Sequence, residues 1–171
     1  MSEKSLAEKR ILVVDDAPFN TRVLATALVD DYTVTFARGG VEALEMAGTA
    51  PQPDMILLDL LMADMDGFEV CARLKASAET AEIPVIFVTG LDDKINEERG
   101  FKLGGVDYIP KPINPAVVRA RNCIYACRTI VCSSRAWKTA PSRISIRCAR
   151  RRADSCVHRT PVTRARIRVH D

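Results

Sequence analysis

Three segments of the chain are short and almost entirely apolar, and each is followed directly by a polar residue. They span residues 11–14, 55–58 and 83–88. Parallel strands that are buried on both faces of a sheet have this unbroken apolar character. Two weaker candidate strands begin near Tyr32 and Val106. The pattern therefore predicts five strands.

Segments of helical length separate these strands and carry apolar residues three and four positions apart. Examples are Val23, Leu24, Ala27 and Leu28 in the first segment, and Phe68, Cys71 and Leu74 in the third. A fifth helix is predicted from about Asn114 to about residue 130. Strands that alternate with helices imply right-handed crossovers. The expected fold class is α/β, a doubly wound five-stranded parallel sheet.

The polar residues that follow the strands carry the candidate chemistry. Asp15 and Asp16 close the first strand, Asp59 the third and Thr89 the fourth, and Lys111 follows the fifth. Ligands bind at the carboxyl edge of such sheets, and a buried acid is costly unless it is paired or binds a cation. Carboxylates about 4 Å apart repel by roughly 1–4 kcal/mol, and a divalent cation relieves this repulsion. An all-oxygen site suits Mg²⁺.

Taken singly, each of these residues also has an ordinary structural explanation. An Asp-Asp pair is commonly part of a solvated turn or a helix cap. A threonine at the end of a strand is commonly a local hydrogen-bonding group, and a lysine is commonly a surface charge. Only their joint occurrence favours a functional site.

Four motifs in this order and spacing carry a family resemblance. They are Val13-Val-Asp-Asp16, Leu57-Leu-Asp-Leu-Leu-Met62 with Met65-Asp-Gly67, Val88-Thr-Gly90, and Asp107-Tyr-Ile-Pro-Lys-Pro112. With them, residues 10–121 closely resemble the receiver domain of two-component response regulators. The resemblance implies a flavodoxin-like (β/α)5 fold and a phosphorylation-controlled switch.

The resemblance also implies roles for individual residues. Asp59 would accept a phosphoryl group from a sensor histidine kinase, a phosphotransfer protein or a small donor such as acetyl phosphate. Mg²⁺ would bind to Asp15, Asp16, Asp59 and the backbone carbonyl of Leu61. Lys111 and Thr89 would contact the phosphoryl oxygens, and Tyr108 would rotate inward after Thr89 moves. The Lys111–Pro112 bond is expected to be cis, and homodimers could form through the face of helix 4, strand 5 and helix 5.

Two positions refine the resemblance. Family members normally carry proline where Ala63 stands, so a looser loop with weaker metal affinity but retained activity is expected. Asn20 and the segment 105–113 resemble receivers fused to cyclic-di-GMP enzymes or to hybrid kinases. Alternatively, Asn20 only makes a hydrogen bond in the first helical turn.

Charge and cysteine divide the chain into two unlike parts. Residues 1–121 carry 13 Lys+Arg against 20 Asp+Glu, a net charge of −7, whereas residues 122–171 carry 12 against 2, a net charge of +10. Five of the six cysteines lie after residue 122. The expected division is an N-terminal extension (1–9), a receiver domain (10–130) and an irregular basic tail (131–171).

Three explanations of the basic tail stay open. Its arginine-rich, patternless composition favours the product of a frameshift near codon 121, which reading the coding DNA in all three frames would test. A second explanation is an arginine-rich arm that binds nucleic acid. A third is a zinc site, which the irregular spacing of Cys123, Cys127 and Cys132 supports poorly.

The sequence thus predicts a cytoplasmic receiver domain with no membrane partner and no catalytic turnover beyond its own phosphoryl transfer. No apolar run approaches the ~18 residues needed to cross a membrane. One alternative is the front part of a cyclic-di-GMP cyclase or phosphodiesterase regulator. Another is a regulator that binds nucleic acid through the basic tail.

Overall fold

The computed structural model describes residues 8–90 and 94–131 and contains five strands alternating with five helices. The strands are β1 (Arg10–Val14), β2 (Thr33–Ala37), β3 (Met55–Asp59), β4 (Val85–Thr89) and β5 (Asp107–Pro110). The helices are α1 (Pro18–Leu28), α2 (Gly40–Gly48), α3 (Gly67–Ala76), α4 (Lys94–Lys102) and α5 (Pro115–Val131).

All five strands pair in parallel in the order β2-β1-β3-β4-β5, which confirms the predicted doubly wound sheet. β3 is the central strand, and all five of its residues are buried. Each strand–helix unit begins within two residues of the predicted position. Since β1 and β4 flank β3 directly, the polar groups that follow these three strands share one edge of the sheet.

Two apolar layers cover the two faces of the sheet. One layer packs α2 and α3 against alternate strand residues such as Leu12, Ile56 and Phe87. The other packs α1 and the start of α5 against Ile11, Leu57 and their neighbours. Consecutive strand residues point to opposite faces, so both layers draw on every central strand.

Local signals in the sequence set the helix starts. Pro18 begins α1, where its missing N–H costs nothing. Asp66 caps α3, because its Oδ1 accepts a 2.6 Å hydrogen bond from the Phe68 amide. Asn114 does the same before α5, accepting from the Ala116 amide at 2.9 Å.

The predicted fifth helix is confirmed, since α5 runs to Val131. The predictions for the tail beyond it, the N-terminal extension up to residue 7 and the cysteines from Cys132 onward lie outside the described residues. None of the helices in the described part of the chain is long and apolar enough to cross a membrane.

Helix α5 carries a polar side chain that is buried. Asn122 is fully buried, and neither its Oδ1 nor its Nδ2 has a hydrogen-bond partner in the described part of the chain. An unsatisfied buried amide costs about 1–3 kcal/mol. We therefore expect Asn122→Leu to raise the free energy of unfolding by about 1–3 kcal/mol, as measured by urea denaturation.

The matched control is the other asparagine of this region. Asn114 is exposed and caps α5, so Asn114→Leu should lower the free energy of unfolding by about 1 kcal/mol. A lower urea midpoint for Asn122→Leu than for the wild type would show that the amide at 122 is satisfied in solution.

Candidate functional site

Three carboxylates meet at the carboxyl edge of the sheet. Val14 pairs with Leu58, so the next residues along, Asp15 and Asp59, are neighbours at the strand ends. One oxygen from each of Asp15, Asp16 and Asp59 lies within 4.8 Å of the others. Asp15 and Asp59 are buried, at 3% and 4% exposure, whereas Asp16 is exposed.

Lys111 reaches the cluster from the end of β5. Its Nζ lies 2.7 Å from Asp59 Oδ2 and 3.0 Å from Asp15 Oδ2. When all three acids are ionised, this ammonium group leaves the cluster with two net negative charges. The arrangement is therefore matched in charge to one divalent cation.

Burial and charge pairing shift the pKa values of Asp59 and Lys111. Burial raises the pKa of Asp59 above its ordinary value, and the hydrogen bond from Lys111 opposes this only in part. For Lys111 burial acts to lower the pKa, but the hydrogen bonds and charges of Asp59 and Asp15 outweigh it and raise the pKa. The two acids thus stabilise the protonated form of Lys111.

Two residues at the start of α1 fix the orientation of Asp15. Its Oδ1 accepts hydrogen bonds from the Ala17 amide at 2.8 Å and from Asn20 Nδ2 at 3.1 Å. Oδ2 faces Lys111. This contact agrees with the alternative interpretation of Asn20 as a hydrogen-bonding residue of the first helical turn, although Asp15 was not predicted as its partner. The subgroup that Asn20 suggested stays a prediction.

The loop between β3 and α3 contacts two of the three acids through its backbone. The Leu61 amide lies 3.4 Å from Asp59 Oδ1, and the Ala63 amide donates to Asp16 Oδ2 at 3.1 Å. The side chain of Leu61 is 64% exposed. The role of the Leu61 carbonyl as a metal ligand stays a prediction.

Gly67 lets α3 start directly beneath the end of β3. Its amide donates to the Leu60 carbonyl at 3.0 Å. A Cβ at this position would overlap the carbonyl oxygen of Asp59 and lie 2.9 Å from Leu60 Cα. The glycine of the Met65-Asp-Gly67 motif is thus a steric requirement for the geometry at Asp59.

Thr89 and Tyr108 lie on the side of β4 and β5. Asp59 pairs with Val88, so Thr89 is one residue nearer the carboxyl edge, and it is 4% exposed. The Tyr108 ring is buried between Phe87 and Phe101, with centroid distances of 5.1 Å and 5.4 Å. A Cβ at Gly100 would overlap the Tyr108 hydroxyl group, so this glycine makes room for the inward ring.

The turn that carries Lys111 has the expected backbone. The Lys111–Pro112 peptide bond is cis, which confirms the prediction. The Lys111 amide donates to the Thr89 carbonyl at 2.8 Å, which joins the ends of β4 and β5. The Ala50–Pro51 bond is also cis, and no sequence signal pointed to it.

The aspartate cluster is the only group of potential metal ligands in the part of the chain that the structure describes. Its donors are all carboxylate oxygens, which suits a hard cation such as Mg²⁺ better than zinc. Burial raises the pKa of the Cys71 thiol to about 11, so this cysteine is a poor ligand. The predicted grouping of Asp15, Asp16, Asp59 and Lys111 is thus present, while their chemical roles stay predictions.

Comparisons with known proteins agree with this geometry. The model of the family described as response regulator receiver domain matches residues 11–122. A solved structure of the BeF3-activated receiver domain of DrrB, a Thermotoga maritima protein, superposes with a TM-score of 0.64 at 28% identity. The match covers 70% of this chain and 98% of that one.

Two relatives are similar over the same part of the chain. A Vibrio cholerae protein named "Probable cyclic di-GMP phosphodiesterase" is 40% identical over 121 residues, which is 71% of this chain and 27% of that protein. Response regulator PleD of Caulobacter vibrioides is 43% identical over 113 residues, 66% of this chain and 25% of that protein. The chain therefore spans about a quarter of the length of these relatives.

Proposed function

Because the chain belongs to the family of response regulator receiver domains, we propose that it accepts a phosphoryl group on Asp59 in a two-component phosphorelay. The observation that carries this proposal is the placement of Asp59. Its carboxylate is buried at the end of the central strand, 2.7 Å from the Lys111 ammonium and among two further acids. A carboxylate held in this way is oriented for attack at the open edge of the sheet.

The proposed chemistry is one phosphoryl transfer. An oxygen of the Asp59 carboxylate attacks the phosphorus atom of a phosphohistidine or of acetyl phosphate. A new O–P bond forms while the P–N or P–O bond to the donor breaks, and the leaving group keeps the electron pair. Lys111 balances the charge of the phosphoryl oxygens as a point charge, and the Thr89 hydroxyl donates a hydrogen bond to them.

The donor set fits Mg²⁺, which would be held by the carboxylates of Asp15, Asp16 and Asp59 and by the Leu61 carbonyl. When bound, the ion neutralises charge on the phosphoryl group and on the attacking oxygen. The Ala17 and Asn20 hydrogen bonds orient Asp15 for this purpose in advance. Lys111 lies beside Asp59 and Asp15 and supplies positive charge to this arrangement.

The proposed switch uses Thr89 and Tyr108. Thr89 moves toward the phosphoryl group, and the Tyr108 ring occupies the space beside Gly100. In the structure the ring already lies inward, so phosphorylation would stabilise this arrangement against an outward one rather than create it. The affected surface is formed by α4, β5 and α5, and we include dimerisation through it in the proposal.

The output is the second part of the proposal. Since one relative is named a cyclic di-GMP phosphodiesterase, we propose that this receiver controls a cyclic-di-GMP enzyme rather than acting through a nucleic-acid-binding tail. The protein would take its phosphoryl group from a histidine kinase or a phosphotransfer protein in the cytoplasm. The receiver itself would turn over no separate substrate.

The test is phosphorylation of the purified chain by acetyl phosphate, followed by intact mass spectrometry. We expect one phosphoryl group per chain in the presence of Mg²⁺, lost on treatment with hydroxylamine because an acyl phosphate reacts with it. Incubation with excess EDTA should leave the chain unmodified. An equal phosphorylation yield with EDTA would contradict the role of the aspartate cluster as a metal site.

A further inference from the structure

The loop between β3 and α3 is tied to the rest of the protein at two adjacent residues. The Ala63 amide donates to Asp16 Oδ2 at 3.1 Å. The Asp64 carboxylate accepts from the Gly40 amide at 3.1 Å and from the Val41 amide at 3.2 Å. One residue therefore contacts the aspartate cluster, and the next is bound to the first turn of α2.

The bond from Ala63 exists because this residue is not proline. Proline has no backbone N–H and cannot donate a hydrogen bond. Alanine at position 63 leaves the unfolded chain and the loop freer than proline would, and this freedom alone would weaken metal binding. The hydrogen bond to Asp16 acts in the opposite direction, because it restricts a carboxylate that is otherwise exposed.

The hydrogen bonds between Asp64 and the start of α2 hold the loop in place, so the Ala63 amide is a fixed donor rather than a mobile one. The first amides of a helix have no partners within the helix, and its N-terminus attracts negative charge. Asp64 supplies a carboxylate at the N-terminus of α2, and the Gly40 and Val41 hydrogen bonds lower its pKa. Gly39 leaves the necessary space, since a Cβ there would collide with the Asp64 carboxylate.

We propose that the Ala63 amide is a positioning group that holds the Asp16 carboxylate in the cluster so that Mg²⁺ meets three prearranged acids. This inference rests on the proposed function, because it assumes that the cluster is the metal site. Asp16 is the exposed member of the cluster, whereas Asp15 and Asp59 are buried. Asp16 therefore depends most on an added hydrogen bond for its orientation.

The substitution Ala63→Pro separates the two effects on metal binding. If loop stiffness alone mattered, proline would strengthen Mg²⁺ binding. We expect it instead to weaken binding by about threefold to tenfold, the effect of losing one hydrogen bond. The dissociation constant is measured by calorimetric titration of the unphosphorylated protein with Mg²⁺, with circular dichroism as a check that the variant is folded.

The matched control is Ala63→Gly, which keeps the N–H and frees the backbone further. It should stay within about threefold of the wild type, below the loss expected for proline, because the donor is retained. Equal or tighter Mg²⁺ binding by a folded Ala63→Pro variant would overturn the inference while leaving the proposed function intact. Absence of Mg²⁺ binding by the wild type would overturn both.

A second measurement tests the positioning role of the Ala63 amide without a proline substitution, and it applies even if Ala63→Pro does not fold. Amide hydrogen exchange at Ala63 should be slower in the wild type than in Asp16→Ala, by about threefold to tenfold, because the acceptor is lost. The Gly40 amide, bound to Asp64, should exchange at the same rate in both proteins. Equal exchange at Ala63 in both proteins would refute the positioning role.

Discussion

Replacing Asp59 with asparagine should abolish phosphorylation by acetyl phosphate. The amide lacks the negative charge and the nucleophilic oxygen that the transfer requires, so we expect a rate at least about a thousandfold below that of the wild type. The variant should fold, because the amide oxygen can still accept from Lys111, which also keeps Asp15 as a partner 3.0 Å away. Intact mass spectrometry after incubation with Mg²⁺ and the donor measures the loss.

The matched control lies at the other end of the same strand. Asp54 precedes β3, and its Oδ2 accepts a 2.9 Å hydrogen bond from the Arg10 amide, far from the carboxyl edge. Asp54→Asn should therefore be phosphorylated at the wild-type rate. Phosphorylation of Asp59→Asn at a comparable rate would place the acceptor at another carboxylate.

Replacing Gly67 with alanine should destabilise the whole domain. The added methyl group would overlap the Asp59 carbonyl oxygen and crowd Leu60 Cα, and backbone atoms cannot rotate away as a side chain can. Overpacking typically costs about 1–3 kcal/mol, and we expect the upper end because the obstacle is main chain. Urea denaturation should show this loss as a lower midpoint with an unchanged slope.

Gly48 provides the control for this substitution. It is the last residue of α2, and a Cβ there would have nothing within 4 Å. Gly48→Ala should be neutral or stabilising by up to about 1 kcal/mol, since alanine favours the helix more than glycine does. If Gly67→Ala matched Gly48→Ala in stability, the end of β3 would have to be more adaptable than its packing indicates.

The buried strands could be predicted from the sequence because burial on both faces leaves only apolar residues. Residues 11–14, 55–58 and 85–88 lie within the three inner strands β1, β3 and β4, where this signal is strongest. The edge strand β2 has mixed burial and was predicted only as a starting point near Tyr32. At an edge, one side of the strand has no neighbour, so polar residues are tolerated and the pattern weakens.

The grouping of Asp15, Asp59 and Lys111 was predictable for a topological reason. Parallel strands deliver their carboxyl ends to one edge, so Asp15 and Asp59, which end the adjacent strands β1 and β3, must be close together. Lys111 follows β5, one strand further along the same edge, and its long side chain reaches both acids past the end of β4. The backbone donors were not predictable, because every residue except proline has an amide and nothing in the sequence marks the Ala63 amide as the partner of Asp16. The buried Asn122 was likewise unforeseen, since the apolar stripe around it predicted only a helix.

The edge strand β5 belongs to both apolar layers at once. Tyr108 faces the layer of α3 with Phe68 and Phe87, while its neighbour Ile109 faces the layer of α1 and α5 with Val118. A displacement of this four-residue strand must therefore disturb the packing on both faces of the sheet. If phosphorylation of Asp59 displaces β5, the displacement would alter the packing of α4 through the Tyr108 ring and the packing of α5 through Ile109. A substitution at Ile109 would change the contact with α5 and leave the contact of Tyr108 with α4 in place.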